Sequence, residues 1–187
     1  MFILSYKILI LSFYFNFINI CLNNASIITI QNKCNYTIPI FSHENRNFIP
    51  KCNLQNNEIC SLSYDFIESG LIKTTLSEQA TLFEFTINSK GIWYDISIIP
   101  PGSGICYNYD ECFDISKKMG YNIPIQIKVS KESNSCKNLE CLSNLCKDAY
   151  LYPYDDLKTH YCTLDNNFDI IYCPINNQKD NTFLECE

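Results

Sequence analysis

The cysteine count, set behind an apolar N-terminus, limits this chain more than any other feature. Lys7 is followed by Ile8-Leu9-Ile10-Leu11-Ser12-Phe13-Tyr14-Phe15, and the apolar run continues with interruptions to Leu22, ahead of Asn23-Asn24-Ala25. A basic flank, a short apolar stretch and a small residue describe a secretory signal peptide, so residues 1–25 are read as a removable leader. Asn16 and Asn19 break the run, which is short for a bilayer span, so no stable membrane anchor is expected. The mature domain is then 26–187, secreted and extracellular. Export makes its cysteines disulfide candidates. The zinc alternative needs C-x2-C pairs, and the chain has none. Of 12 cysteines in 187 residues, Cys21 goes with the leader, which leaves an odd number and one unpaired or intermolecular thiol.

Composition excludes several function classes. Hydrophobic content of 47% with 14% aromatics rules out a disordered chain, and the length fits one domain with a real core. The net charge of −6 and the lack of any Lys/Arg cluster argue against nucleic acid, whose phosphates need clustered cations. With two histidines, His43 and His160, a His-rich metal site is not expected. Both are read as surface or hydrogen-bonded residues, and no cofactor is expected. Asn35-Tyr36-Thr37 is a glycosylation sequon, beside Cys34 in a stretch that reads as strand.

The pattern is that of an all-β domain. Ser26 to Ile40 is rich in Ile and Thr and reads as the start of a strand pair. Asn, Gly, Pro and Ser clusters recur about every ten residues without a long 3.6-residue period, which points to a sandwich. Helical turns are expected only at 141–148 and at 111–119. One hairpin is well defined. Residues 81–87 alternate with period two, Asn88-Ser89-Lys90-Gly91 forms a turn, and 92–99 alternate again. A symmetric loop pairs Ile87 with Ile92, Phe85 with Tyr94 and Phe83 with Ile96, an apolar face that must be the core side. The other face then sets Thr86 against Trp93, Leu82 against Ser97 and Glu84 against Asp95. Cross-strand partners have Cβ atoms about 4.5–5.5 Å apart, where like charges cost up to about 1 kcal/mol. Either both carboxylates point into water, where screening makes the cost small, or they form a groove pair in which one acid has a raised pKa. Retaining glycosidases hold their carboxyls about 5–5.5 Å apart and inverting ones about 6.5–9.5 Å.

The C-terminal half carries a longer signature. Leu145-Cys146-Lys147-Asp148-Ala149-Tyr150 is followed by Tyr152-Pro153-Tyr154-Asp155-Asp156, Lys158-Thr159-His160-Tyr161-Cys162 and Phe168-Asp169-Ile170-Ile171-Tyr172-Cys173-Pro174. This resembles the thaumatin-like proteins, the pathogenesis-related family 5 that includes osmotin. Ile28-Thr29-Ile30-Gln31-Asn32-Lys33-Cys34 resembles the family's first strand. Leu82-Phe83-Glu84-Phe85, Tyr94-Asp95-Ile96-Ser97 and Gly120-Tyr121-Asn122-Ile123-Pro124 resemble its L-x-E-F, Y-D-[IV]-S and G-[FY]-N-[LIV]-P segments. The blocks occur in family order across residues 27–174.

The resemblance implies a flattened antiparallel sandwich of about ten strands, stapled by Cys34–Cys173, Cys136–Cys162 and Cys141–Cys146. In chain-entropy terms the first bridge is worth about 5 kcal/mol. Cys52–Cys60 and Cys106–Cys112 are guessed for the remainder, leaving Cys186 over. Only four residues separate Cys141 from Cys146, so the second disulfide-rich domain of larger members is missing. The stretch 100–119 reads as an inserted loop.

The resemblance also implies an acidic cleft. Glu84, Asp95 and Asp148 match three of its acids; Met119 stands where a fourth is expected, and the family's arginine has no match between Cys52 and Leu76. The implied ligand is β-1,3-glucan or a related cell-wall polysaccharide, with at most weak endo-β-1,3-glucanase activity. In that reading Glu84 is the proton donor, its pKa raised by Asp95, while Asp95 or Asp148 is base or nucleophile. Trp93 and Tyr121 offer sugar-stacking surfaces. The protein is expected as a monomer. Two other readings stay open. One is inhibition of a secreted protein through surface loops such as 100–119. The other is action at microbial membranes, which the acidity weakens.

Overall fold

Period-two alternation becomes two packed sheets. The computed structural model of the protein describes residues 25–44, 47–65 and 67–174. The leader up to Asn24, with Cys21, and the C-terminal stretch with Cys186 lie outside them. Twelve strands follow in chain order: β1 (Ser26–Asn32), β2 (Ile38–Glu44), β3 (Asn47–Leu54), β4 (Ile59–Tyr64), β5 (Ile67–Lys73), β6 (Leu82–Asn88), β7 (Gly91–Ser97), β8 (Ile125–Val129), β9 (Leu139–Cys141), β10 (Ala149–Tyr150), β11 (His160–Cys162) and β12 (Phe168–Tyr172). One sheet runs β4-β1-β12-β8-β9. The other runs β10-β7-β6-β5-β2-β3, with β11 also paired to β7. The sandwich is thus not wholly antiparallel: β1 runs parallel to β12, and β10 runs parallel to β7. β1 and β2 do not pair but enter different sheets.

The core fills the space between the sheets. Ile28, Ile30, Ile125, Ile127, Phe168 and Ile170 from one sheet meet Ile40, Phe83, Ile87, Ile92, Tyr94 and Ile96 from the other, all buried. Phe168 bridges them, with its ring 5.8 Å from Phe83 and 4.9 Å from Tyr94. Tyr94 is buried yet satisfied at its tip: its hydroxyl donates to Lys137 O at 2.6 Å and accepts from Lys137 N at 2.8 Å. That is the arrangement a buried tyrosine needs.

Among the described residues five disulfides fasten this frame, joining Cys34–Cys173, Cys52–Cys60, Cys106–Cys112, Cys136–Cys162 and Cys141–Cys146. These are the five pairs named from the sequence. Cys52–Cys60 ties β3 to β4, the edge strands of the two sheets. Pro50 and Lys51 further blunt the β3 edge, since proline cannot donate to a new strand and a charge resists burial.

The helical expectations divide. The inserted loop holds one helix, α1 (Tyr109–Ser116), started by the Asn108 side chain accepting from Glu111 N and ended by Lys117 in the left-handed region. The stretch 141–148 is not helical. It leaves β9 as a tight turn closed by Cys141–Cys146, with Leu145 at a positive φ of 66°. Gly120 is dictated by packing: a Cβ there would lie 2.1 Å from Ile98 O.

Candidate functional site

The hairpin takes the register that alternation predicts. Glu84 pairs with Asp95, Phe85 with Tyr94, Thr86 with Trp93 and Leu82 with Ser97. Phe83, Phe85, Tyr94 and Ile96 are buried, while Glu84, Trp93 and Asp95 are half-buried on the outer face. A groove of about 280 Å³ opens there, lined by Ser69 and Gly70 from β5, Glu84 and Thr86 from β6, Trp93 and Asp95 from β7, and Thr159. Gly70 keeps it open and lets the Phe85 ring close up, since a Cβ at position 70 would sit 2.3 Å from that ring.

Glu84 and Asp95 share the groove half-buried. Burial raises the pKa of both acids, and burial rather than mutual repulsion is the main cause for each. Asp95 is pushed up to about 8, first by burial and then by the Glu84 charge. Glu84 is raised too, but the Ser97 hydroxyl donates to its carboxylate and favours the ionised form. Asp95 Oδ1 is buried without a partner among the described residues. Asp95 therefore keeps its proton up to about pH 8, while at Glu84 the Ser97 hydroxyl opposes the rise that burial causes. The pair titrates as a unit, as interacting acids do.

The remaining candidates are placed apart. Asp148 precedes Ala149, which pairs with Ile96 as Asp95 precedes Ile96. Its carboxylate nevertheless turns to accept from Glu140 N at 3.1 Å and faces His160. It does not line the groove. Tyr121 does not line it either: its hydroxyl donates to Leu142 O at 2.9 Å and its carbonyl accepts from Gln79 Nε2 at 2.8 Å. Trp93 does line it, with its ring 5.2 Å from Tyr161. Met119 is 44% exposed and belongs to a separate hollow beside Phe113 and Lys118. The one cation between Cys52 and Leu76 is Lys73. It donates to Ser77 O at 3.2 Å and sits 3.9 Å over the Phe48 ring, so it does not replace the missing arginine.

Sequence reasoning overlooked the groove's polar wall. Thr159 Oγ1 is 2.5 Å from Tyr150 Oη, and Tyr150 also reaches Asp156 Oδ1 at 3.4 Å. These residues stood inside the quoted signature. What brings them to Asp95 is the pairing of β10 and β11 with β7, which no local pattern announces.

Comparison with known proteins fits this geometry. A thaumatin-like protein of Oryza sativa subsp. japonica is 32% identical over 108 residues, covering 57% of this chain and 48% of the rice protein. Thaumatin-like pathogenesis-related protein 4 of Avena sativa is 35% identical over 107 residues, covering 57% and 49% respectively. The chain thus spans about half the length of the curated relatives it matches. No family-wide sequence profile matches it. Among solved structures, the thaumatin-like xylanase inhibitor TLXI superposes with a TM-score of 0.55 at 15% identity, covering 79% of this chain and 99% of that one. The order of motifs, the paired sheets, the five bridges and these relatives agree: the chain is similar to the thaumatin-like proteins in sequence and shares a fold with them, and in it Cys141 and Cys146 close a turn directly.

Proposed function

We propose that the protein is exported and binds a cell-wall polysaccharide of the β-1,3-glucan class across the Glu84–Asp95 groove, in a defence role like that named for its pathogenesis-related relatives. The observation that carries this reading is the half-buried Glu84–Asp95 pair, matched in register and lining one groove with Trp93. Asp95, whose pKa is pushed up to about 8, donates, and a Glu84 carboxyl oxygen accepts. That pair suits sugar hydroxyls, each of which does both. Trp93 adds an apolar rim. At 280 Å³ the groove is at or below the small end of ligand pockets, about 300–1,000 Å³, so a polymer would lie across it rather than enter. Any hydrolysis would use Asp95 as acid and Glu84 as carboxylate, and Asp148 would take no part. With the arginine absent, such turnover would at most be weak.

The test is pelleting of the mature protein with insoluble β-1,3-glucan beside cellulose, chitin and xylan, with reducing ends assayed in the supernatant. Selective pelleting lost in Glu84→Gln and Asp95→Asn supports the groove, and sugar release supports an enzyme. Absence of pelleting on all four polymers overturns the reading.

A second reading is favoured by the inserted loop. Ile105, Tyr107, Ile115 and Met119 are exposed apolar residues on a loop that Cys106–Cys112 holds rigid. Loops of this kind suit a protein partner, and the solved neighbour is named as an inhibitor of a xylanase. A secreted-protein binder would keep its partner in Glu84→Gln and lose it in a Tyr107→Ala/Ile115→Asp double variant.

A further inference from the structure

We infer that Asn35 is an N-glycosylation site, modified from a lipid-linked oligosaccharide diphosphate during export. The inference rests on the export reading and is independent of what the groove binds.

The triplet Asn35-Tyr36-Thr37 is the one N-x-Ser/Thr sequence among the described residues. The sequence alone sets it against a strand and a cysteine, where an acceptor would be hidden. The structure places it elsewhere. β1 ends at Asn32 and β2 begins at Ile38, and Asn35, Tyr36 and Thr37 are all exposed on the bend between them. Tyr36 is 54% exposed. The bend is held from within, not through the acceptor. Asn32 Oδ1 accepts from Cys34 N at 2.8 Å, Asn32 Nδ2 donates to Tyr36 O at 2.8 Å, and Asn56 Nδ2 donates to Cys34 O at 2.6 Å. The fold is therefore anchored on both sides of Asn35 while its amide faces solvent, so the finished domain accommodates a bulky substituent there.

Timing removes the second obstacle. Glycosyl transfer acts on the extended nascent chain, and a neighbouring disulfide closed early would hide the acceptor. The partner of Cys34 is Cys173, 139 residues downstream. That bridge cannot form until nearly all of the described chain has been exported, so Asn35 passes the transferase unconstrained. In the transfer, the Asn35 side-chain nitrogen forms a bond to the anomeric carbon. The bond from that carbon to the diphosphate oxygen breaks, the lipid diphosphate leaves with the electron pair, and one amide proton is lost to base. No oxidant or reductant is needed.

The test expresses the full chain, with its own leader, in a eukaryotic secretory host. The secreted protein is then measured by intact mass and peptide mapping before and after peptide-N-glycosidase. The expected result is one discrete mass step that the enzyme removes, leaving aspartate at position 35. Asn35→Gln and Thr37→Ala should lose the step completely, while Thr37→Ser should keep it. Because all three side chains are exposed, thermal midpoints should match wild type and exclude misfolding as the cause. A secreted protein without the step overturns the site. A step that survives Asn35→Gln also overturns it, and would place the sugar on the other sequon, Asn24-Ala25-Ser26, with the leader cleaved ahead of Asn24. Retention of the protein inside the cell overturns export and the site together, and leaves the groove untouched.

Discussion

The two faces of the β6–β7 hairpin are built from alternate residues of the same two strands, yet they obey opposite physics. On the inner face Phe83, Phe85, Tyr94 and Ile96 are removed from water and meet the second sheet. That burial is worth roughly 1.5–3 kcal/mol per large side chain. On the outer face, one residue away, Glu84 and Asp95 are held together half-dehydrated, and burial raises both pKa values. The inner face stabilises the fold and the outer face strains it. Strain kept beside a groove is the pattern expected of a site rather than of a scaffold.

The sharpest way to break this contrast is to cut the inner face. Phe83→Ala should cost about 3–5 kcal/mol, the range for an aromatic deleted from a packed core, read as a lowered denaturation midpoint. A loss under about 1 kcal/mol would mean that the aromatic bridge to Phe168 does not hold the sheets.

The outer face should respond in the opposite direction. Folded Asp95 holds its proton to about pH 8, whereas its ordinary value is 3.8. Between those values the folded chain binds a proton that the unfolded chain has released, so stability falls as pH rises from about 4 to about 8. The penalty is fully present above that window, and the raised Glu84 adds to it in the same direction. Asp95→Asn should flatten the profile and stabilise the protein at pH 8 by a few kcal/mol at most. Urea denaturation at pH 4, 6 and 8 reads both effects. An unchanged slope in the variant would place the titrating group elsewhere.

Smaller changes sharpen the boundary between the faces. Thr159→Val removes the hydroxyl facing Tyr150 at 2.5 Å and should cost about 1 kcal/mol, the net worth of a typical hydrogen bond. The exposed Lys118–Glu78 pair, at 2.6 Å, should matter least. Lys118→Ala should leave the midpoint unchanged within error, because solvent and side-chain entropy cancel most of what an exposed ion pair gains. A large loss there would show that the hollow beside α1 is more tightly built than its exposure indicates.

How much of this was legible before the structure depends on range. The hairpin register, its inner apolar face and the meeting of Glu84 with Asp95 follow from a period of two and a short loop, both local. The dominance of burial over the Glu84 charge in raising Asp95 was not legible, because spacing reports neither burial nor the Ser97 hydroxyl beside Glu84. Nor were the parallel partners of β1 and β7. Such pairings join segments more than 50 residues apart, and many registers are compatible with one alternation. Asp148 shows the limit most clearly. It lies in a recognisable motif beside Asp95 in register, yet the turn closed by Cys141–Cys146 directs its carboxylate to Glu140 N instead.

By itself, then, the sequence determined which residues face inward, which cysteines are available and where one pair of acids must meet. Side-chain alternation and turn chemistry act over a few residues and leave little choice there. Only the tertiary structure decided which strands became neighbours, how far burial raises Asp95 and which matched residues stand away from the groove. Dehydration and long-range pairing belong to the packed molecule and have no signature in any short stretch of it.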